Sequence, residues 1–394
     1  SDGGFNMISA ARILRTTAAA SALLALMACA PGTDVRPGAN AASLDVVGQR
    51  RVVTLLPNAQ TAEQMRAAAR QAGYTELDAH RLDGLSLSML TFRMPDGVTG
   101  QQAIDELEAA VPGSTVGLNH AYRLQQDTSD ANALDYADAM MNWRAGGCEA
   151  RGAIGMIDTG IDTSSRSLAN ARIDTKTFFD GPAPAASHGT DVASVLADPG
   201  HLRNPRILGA NVFGGRDAQG LLAGADALVR ALDWLAEEDV HFVNLALAGP
   251  YNKLLDLAVE RASARGLILV AAVGNAGPGS GALYPAGFDG VIAVTAIDAE
   301  RRIYRRAVRG AHVDVAAPGV DIMVRSDRGT RFVTGTSIAT PFVTARLAAD
   351  PSLANIREVS AVRERLAATA AELGPLGHDT TYGYGLAMAA DICG

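Results

Sequence analysis

The chain has 394 residues, 48% of them apolar and 19% charged, with a formal charge of −8. That length points to two or three folded units. The composition excludes a disordered chain, and the negative balance argues against nucleic acid as a partner, because phosphate binding needs a basic footprint.

In chain order, Ser1 to Asn6 read as a cloning remnant or upstream translation ahead of a start at Met7. Arg12 and Arg15 then precede the apolar run Ala18 to Ala28, which is long enough for a signal-peptide core and short for a membrane span. The run ends in Leu26-Met27-Ala28-Cys29, which resembles a bacterial lipoprotein cleavage site with Cys29 as the lipid-attachment residue. The alternative is an ordinary signal peptide with Cys29 incidental. Residues 1–28 are therefore expected to be removed, and the protein to be exported to the cell envelope or secreted. Residues 29–49, rich in Pro, Gly, Ala and Asn, read as a flexible tether. Cys148 and Cys393 remain, and an even pair in an exported protein is a disulfide candidate, with two buried thiols as the alternative.

Residues 50–124 predict a small module. Val52–Leu56 is a strand, and Thr61–Ala72 a helix with Ala62, Met65, Ala69 and Ala72 on one face. Leu85–Phe92 alternates like a strand. Thr99 caps a helix to Ala110, and Thr115–Leu118 closes the unit. The order fits a split βαβ module of the ferredoxin-like α+β kind. A polar connection from residue 125 and a helix around Asn132–Trp143 lead into a larger domain, 125–394. There, buried strands at Ala153–Ile157, Ile207–Phe213, His241–Leu247, Leu267–Val273 and Val291–Ile297 alternate with helices at Ala225–Glu237 and Lys253–Ala264. This predicts an α/β, three-layer αβα domain on a mainly parallel sheet, with its site beyond the carboxyl ends of the strands.

Asp158 ends the first of those strands, in Ile157-Asp158-Thr159-Gly160. His188 opens a helix in Ser187-His188-Gly189-Thr190, and Ser337 opens another in Gly335-Thr336-Ser337-Ile338-Ala339-Thr340-Pro341. Acyl transfer to serine needs a hydroxyl, an imidazole to take its proton and a carboxylate to hold that imidazole, and the chain supplies one of each. Asn275, between Gly274 and Gly277, follows a buried strand and offers a side-chain N–H to a developing oxyanion. The order Asp, His, Ser and the lack of a G-x-S-x-G elbow exclude an α/β-hydrolase lipase or esterase.

Together these four segments resemble the Asp, His, Asn and Ser blocks of the subtilisin-like serine proteases. Their gaps of 30, 87 and 62 residues agree with that family's compact members. The resemblance covers about residues 130–394. It implies a serine endopeptidase with no organic cofactor, acting on protein or peptide substrates. It also implies that residues 50–124 are a propeptide that lays its tail in the cleft as an intramolecular inhibitor. Substrate-binding residues follow from the same likeness. Ala246, Leu247, Ala248 and Gly249 would form one wall of the primary pocket, Ala272 and Gly274 the other, and Leu221, Leu222 and Ala223 the second edge that sandwiches the peptide. Leu283 would lie at the pocket floor. Leu283 and Ala248 stand where the family often has glycine, which predicts a narrowed pocket preferring Ala, Val or Thr over Phe, Tyr or Lys. Other departures are Asp191 one turn after His188, Phe342 after Pro341, and a short His188–Val212 segment without the loop that holds calcium in secreted members, so no tight metal site is expected. A catalytically silent peptide-binding lipoprotein is the alternative reading, and it expects the loss of at least one of Asp158, His188, Asn275 or Ser337; all four are present.

Overall fold

The computed structural model describes residues 46–48, 50–124, 127–129, 136–181, 183–217, 220–326, 329–390 and 392–393. The expected signal segment, Cys29 and most of the tether lie outside these residues, as does the first part of the helix expected around Asn132–Trp143.

The first strand β1 (Arg51–Leu56) is followed by α1 (Ala59–Gln71), β2 (Thr75–Leu82), β3 (Leu87–Arg93), α2 (Gly100–Ala110) and β4 (Thr115–Leu118). They form one four-stranded sheet in the order β2-β3-β1-β4, with β1 antiparallel to β3 and β4. Both helices start at reciprocal side-chain caps. Asn58 accepts the Thr61 N–H at 2.9 Å, and Gln102 accepts the Thr99 N–H at 2.9 Å while Thr99 Oγ1 accepts from Gln102 N. β2 was not singled out from the sequence. It is an edge strand with mostly exposed, charged side chains, so it carries no apolar alternation.

Two short strands, β5 (Ala121–Leu124) and β6 (Asp127–Ser129), lead to α3 (Ala137–Met141) and β7 (Cys148–Glu149). The helix expected to reach Trp143 stops at Met141, because Asn142 turns left-handed at φ 59°. Then come β8 (Ile154–Asp158), β9 (Arg172–Thr177), α4 (Ser187–Leu196), β10 (Leu202–Arg203), β11 (Arg206–Asn211), β12 (Phe213–Asp217), β13 (Gly220–Gly224) and α5 (Ala225–Glu237). The remainder is β14 (Phe242–Leu245), β15 (Leu247–Ala248), α6 (Lys253–Ala264), β16 (Ile268–Ala272), β17 (Val291–Ile297), β18 (Val315–Pro318), β19 (Ile322–Ser326), β20 (Gly329–Thr334), α7 (Thr336–Ala349) and α8 (Val359–Thr369).

Seven strands make one wholly parallel sheet in the order β18-β17-β16-β14-β8-β11-β9. α4 and α7 pack together on one side of it, and α5 and α6 together on the other, which gives three layers. Successive strands run from β8 toward β9 and β11, then restart at β14 on the other flank of β8. The carboxyl end of β8, where Asp158 stands, is thus beside the switch in direction where α/β sheets open a crevice. Two strands expected to be continuous are each two. Ile207–Phe213 ends at Asn211, and His241–Leu247 ends at Leu245, with β12 and β15 joining a different sheet. Cys148 and Cys393 form a disulfide with Cα atoms 5.1 Å apart, tying the start of this domain to its end.

The small sheet is apolar on both faces, and each face has its own destination. Val52, Leu56, Leu90, Phe92 and Val116 pack with Met65, Ala69 and Leu107 of its helices. Val53, Leu55, Leu87 and Met89 point the other way and join the core of the large domain, where β1 and β4 lie on α6 and β2 lies on α5. Burying such a side chain contributes about 1.5–3 kcal/mol. Glycines permit the close fit: a Cβ on Gly117 would meet Leu254 at 3.0 Å, and one on Gly84 would meet the Asp233 carbonyl oxygen at 2.1 Å. Asp233 Oδ1 in turn accepts the Leu85 N–H at 2.9 Å. Burial under the turn at residues 83–86, with Glu237 and Asp83 nearby, pushes the Asp233 carboxyl up to about 6.

The raised value means that the acid form is favoured when the module is docked. The contribution is complete below the ordinary carboxyl range of about 4 and is lost as pH rises through about 6. Asp233→Asn cannot ionise, so it should raise the Tm of a Ser337→Ala chain at pH 7.5 and leave it unchanged near pH 4. Thermal unfolding across that range checks the sign.

Candidate active site

Three side chains from three elements meet above the sheet. Asp158 is the last residue of β8 and is fully buried. His188 is the second residue of α4, and Ser337 the second of α7. His188 Nδ1 donates to Asp158 Oδ1 at 2.7 Å, and Ser337 Oγ donates to His188 Nε2 at 3.2 Å. The tautomer follows from Asp158, because an ionised carboxylate only accepts.

The local sequence explains how these residues come together. α4 has no side-chain cap of its own; Thr159 Oγ1, beside Asp158, accepts the Gly189 N–H at 2.8 Å instead. Gly189 allows that approach, since a Cβ there would sit 2.6 Å from the carbonyl oxygens of Thr159 and Gly160. Thr190 Oγ1 ties the same two segments by accepting the Asp162 N–H at 2.9 Å. α7 begins directly after Gly335, so the N–H groups of its first turn lack intrahelical acceptors and its positive dipole end lies at Ser337.

Asn275 is 7% exposed and fixed from the side of α7. Its Oδ1 accepts from Thr336 Oγ1 at 2.9 Å and Thr336 N at 3.2 Å, while Thr336 Oγ1 accepts the Gly274 N–H at 3.2 Å. With Oδ1 committed to Thr336, the amide's other edge, Nδ2, is the one that donates. Thr159 and Thr336 thus orient the site, and neither was given that role from the sequence. Both stand inside motifs that were singled out, so adjacency to Asp158 and Ser337 was the available signal.

Two of the expected peptide-binding segments, on β13 and β15, flank a strand of the chain itself. β5 lies between β13 and β15, antiparallel to both, with Tyr122 opposite Ala223, Ala121 opposite Gly224, Arg123 opposite Ala248 and Leu124 opposite Leu247. Tyr122 is fully buried; its ring lies where a Cβ of Gly249 would be, and its hydroxyl donates to the Pro250 carbonyl at 3.2 Å. Leu221 and Leu222 are on β13 but pair with Arg216 and Gly215 of β12, not with a described residue of β5. Ala246 is buried beside β15, and Ala272 ends β16. Gly249 exchanges two backbone hydrogen bonds with Tyr284, at 2.8 and 2.9 Å. The neighbouring Leu283 has its Cδ1 2.6 Å from where a Gly274 Cβ would stand, and the Ala248 methyl lies 3.4 Å from the same point. Among the described residues no group of three or more His, Cys, Asp or Glu is placed to hold a metal ion.

A profile of the subtilase family matches residues 151–385. The chain belongs to the subtilase family. Subtilisin DY of Bacillus licheniformis is 32% identical over 56% of this chain and 84% of its own length. Subtilisin Savinase of Lederbergia lenta is 30% identical over 60% of this chain and 88% of its own. In fold, the chain is similar to fervidolysin from Fervidobacterium pennivorans, a keratinolytic enzyme related to subtilisin, with a TM-score of 0.70 and 22% identity over 86% of this chain and 60% of that one. It is thus a subtilisin-like serine protease, and its three-layer domain is the subtilase architecture.

Asn275→Ala should lower kcat by about 10²–10³ with little change in KM, the loss that removing one side-chain donor from an oxyanion hole brings in the subtilisins. Steady-state kinetics on a peptide substrate checks this, and normal turnover would remove Asn275 from the mechanism.

Proposed function

We propose that the protein is an exported serine endopeptidase, made as a precursor whose residues 50–124 are an inhibitory propeptide. The observation that carries this reading is β5, a stretch of the chain itself held as an added strand between β13 and β15. Backbone pairing of this kind holds an extended peptide whatever its sequence.

Ser337 is the nucleophile. Its Oγ attacks the peptide carbonyl as His188 Nε2 takes the proton, and Asp158 steadies the imidazolium through Nδ1. Charge on the carbonyl oxygen is met by Asn275 Nδ2 and the N–H groups opening α7. The C–N bond then breaks, His188 gives its proton to the leaving amine, and water repeats the sequence on the acyl-enzyme. The 2.7 and 3.2 Å contacts support these roles.

Arg12, Arg15, the apolar run to Ala28 and Cys29 support export and lipid attachment. The Cys148–Cys393 disulfide supports an oxidising compartment.

β5 ends at Leu124 and β6 starts at Asp127, so the bond offered to Ser337 falls between those two residues. The full chain should process itself there, the Ser337→Ala chain should not, and only the former should react with a fluorophosphonate probe. Mass spectrometry of the amino-terminal fragment reads both the cut and the lipid on Cys29. Processing in the Ser337→Ala chain alone in solution, or a cut elsewhere, would overturn the proposal.

Leu283 and Ala248 take volume from the primary pocket, so large side chains before the cleaved bond should be rejected by overlap. Leu124, Gln125 and Gln126, the candidates in the chain's own segment, are of medium size and none is aromatic or basic. A peptide library should show Ala, Val or Thr favoured over Phe, Tyr or Lys, with Leu283→Gly admitting Phe. A preference for Phe that Leu283→Gly leaves unaltered is the contrary result.

A further inference from the structure

His201 lies five residues beyond the end of α4, is 2% exposed, and takes no part in the hydrolysis described above. Both of its ring nitrogens face acceptors. Nδ1 is 2.7 Å from the carbonyl oxygen of Val195, in the last turn of α4, and Nε2 is 2.7 Å from Oδ1 of Asp138, in the first turn of α3. A carbonyl oxygen only accepts, and so does an ionised carboxylate. A neutral imidazole has one N–H and cannot serve both, whereas the imidazolium has two.

The surroundings favour the charged ring. A Cβ on Gly200 would meet Asp138 Oδ2 at 3.0 Å and Asp198 Oδ1 at 3.1 Å, so two carboxylates converge on the turn that carries His201. The carbonyl end of α4 adds the negative end of a helix dipole. Burial by itself would strip the ring of its proton. The bond to Asp138 and its charge, the Val195 carbonyl and the charge of Asp198 outweigh burial and raise the pKa above the ordinary histidine value. The other charges on the elements packed here are engaged elsewhere: His188 with Asp158 at 2.7 Å, Asp191 with Arg331 at 2.6 Å, Arg346 of α7 with Asp350 at 3.1 Å, and Glu149 with Arg203 at 4.0 Å. Arg144, in the turn after α3, is the remaining charged residue of that stretch.

We infer that His201 is a proton-charged clamp: as an imidazolium it binds the start of α3 to the end of α4, and loss of its proton at alkaline pH opens the seam at which the catalytic domain begins. His201 also touches the helices that deliver the reacting side chains. α4 carries His188 in its first turn, and the Phe342 ring, whose centroid is 5.1 Å from that of His201, is five residues past Ser337 on α7. A neutral ring leaves one of its two acceptors without a donor. Asp138 is 46% exposed and can turn to water, whereas the Val195 carbonyl cannot, so α3 is the side that lets go. Cys148 stays in place through its disulfide to Cys393 and its pairing with Leu202, which confines the opening to residues 136–147. A raised histidine value means that the folded domain keeps a proton which the unfolded chain gives up at lower pH. The contribution is complete below the ordinary 6.5 and is lost as pH rises through the raised value.

The test uses the full chain as Ser337→Ala, so that self-cleavage does not confuse the reading. Heteronuclear NMR of the histidine rings, with His201 assigned through its own backbone amide, should show protons on both of its nitrogens at pH 6.5, where an exposed histidine is half neutral. Asp138→Asn, at a half-exposed position, keeps an acceptor without the charge and should lower the proton affinity of His201 about tenfold. Amide hydrogen exchange across residues 136–147 should quicken beyond its intrinsic pH dependence as His201 loses its proton, and at a lower pH in Asp138→Asn, while β16 and β17 stay protected. A bare nitrogen on His201 at pH 6.5, or a titration that Asp138→Asn leaves unaltered, overturns the clamp. Exchange that quickens throughout the domain at once, or nowhere, overturns the opening of the seam. Both are read without a substrate, so their failure is distinct from failure of the protease reading.

Discussion

Helix α4 can settle onto the Asp158–Gly160 turn only because residue 189 has no side chain. A single Cβ there would overlap two carbonyl oxygens, and the helix would have to lift. His188 is the residue before Gly189, so any lift would move the imidazole away from Asp158. The 2.7 Å contact between Nδ1 and Oδ1 is therefore a consequence of packing between the end of a strand and the start of a helix. Thr159 reinforces it by supplying the cap that α4 lacks. The same arrangement recurs at Ser337, where Thr336 joins the start of α7 to the start of the loop after β16 through Asn275 and Gly274. Hydroxyls next to the reacting residues do the joining in both places.

The parallel sheet supplies the platform, and the edges around it supply recognition. Five of its strands are flanked by neighbours on both sides, but β13, β15 and β20 lie outside it, β13 and β15 pairing with β5 and β20 with β6. Strand edges of this kind would otherwise be open to pairing with other chains. The module's sheet solves the related problem of two apolar faces by covering one with its own helices and the other with α5 and α6. On that second face β4 runs almost directly into β5, which pairs with β13 and β15. Asn119 fixes the turn between them, donating to Asp226 Oδ1 at 2.8 Å and accepting the Asp226 N–H at 3.0 Å.

What could be read from the sequence follows from how locally each feature is encoded. Strands buried on both faces, such as β16 and β17, show as largely apolar runs, and the start of α2 shows as the cap at Thr99. Asp158, His188, Asn275 and Ser337 stand in short glycine-bearing segments, because each sits where the backbone must approach another element closely. β2 was missed because an exposed edge strand needs no apolar face. The run from His241 to Leu247 was read as one strand because apolarity does not register the point, between Leu245 and Leu247, at which the chain leaves one sheet for another. The partnership of Arg331 with Asp191 spans 140 residues, and neither residue has a local signature.

A glycine-to-larger change in a binding cleft has two outcomes, and geometry separates them. At Gly249 the absence of a side chain is used by the Tyr122 ring, which lies where a Cβ would be, so that position must stay small for the chain's own tail to seat. At Leu283 the reverse holds: a branched side chain comes within 2.6 Å of where a Gly274 Cβ would stand, so it is Leu283 that uses the space beside that glycine. The two sites are coupled, because Gly249 and Tyr284 exchange backbone hydrogen bonds and thereby fix where Leu283 stands. The seat of the Tyr122 ring and the contact of Leu283 with Gly274 therefore share one rigid element.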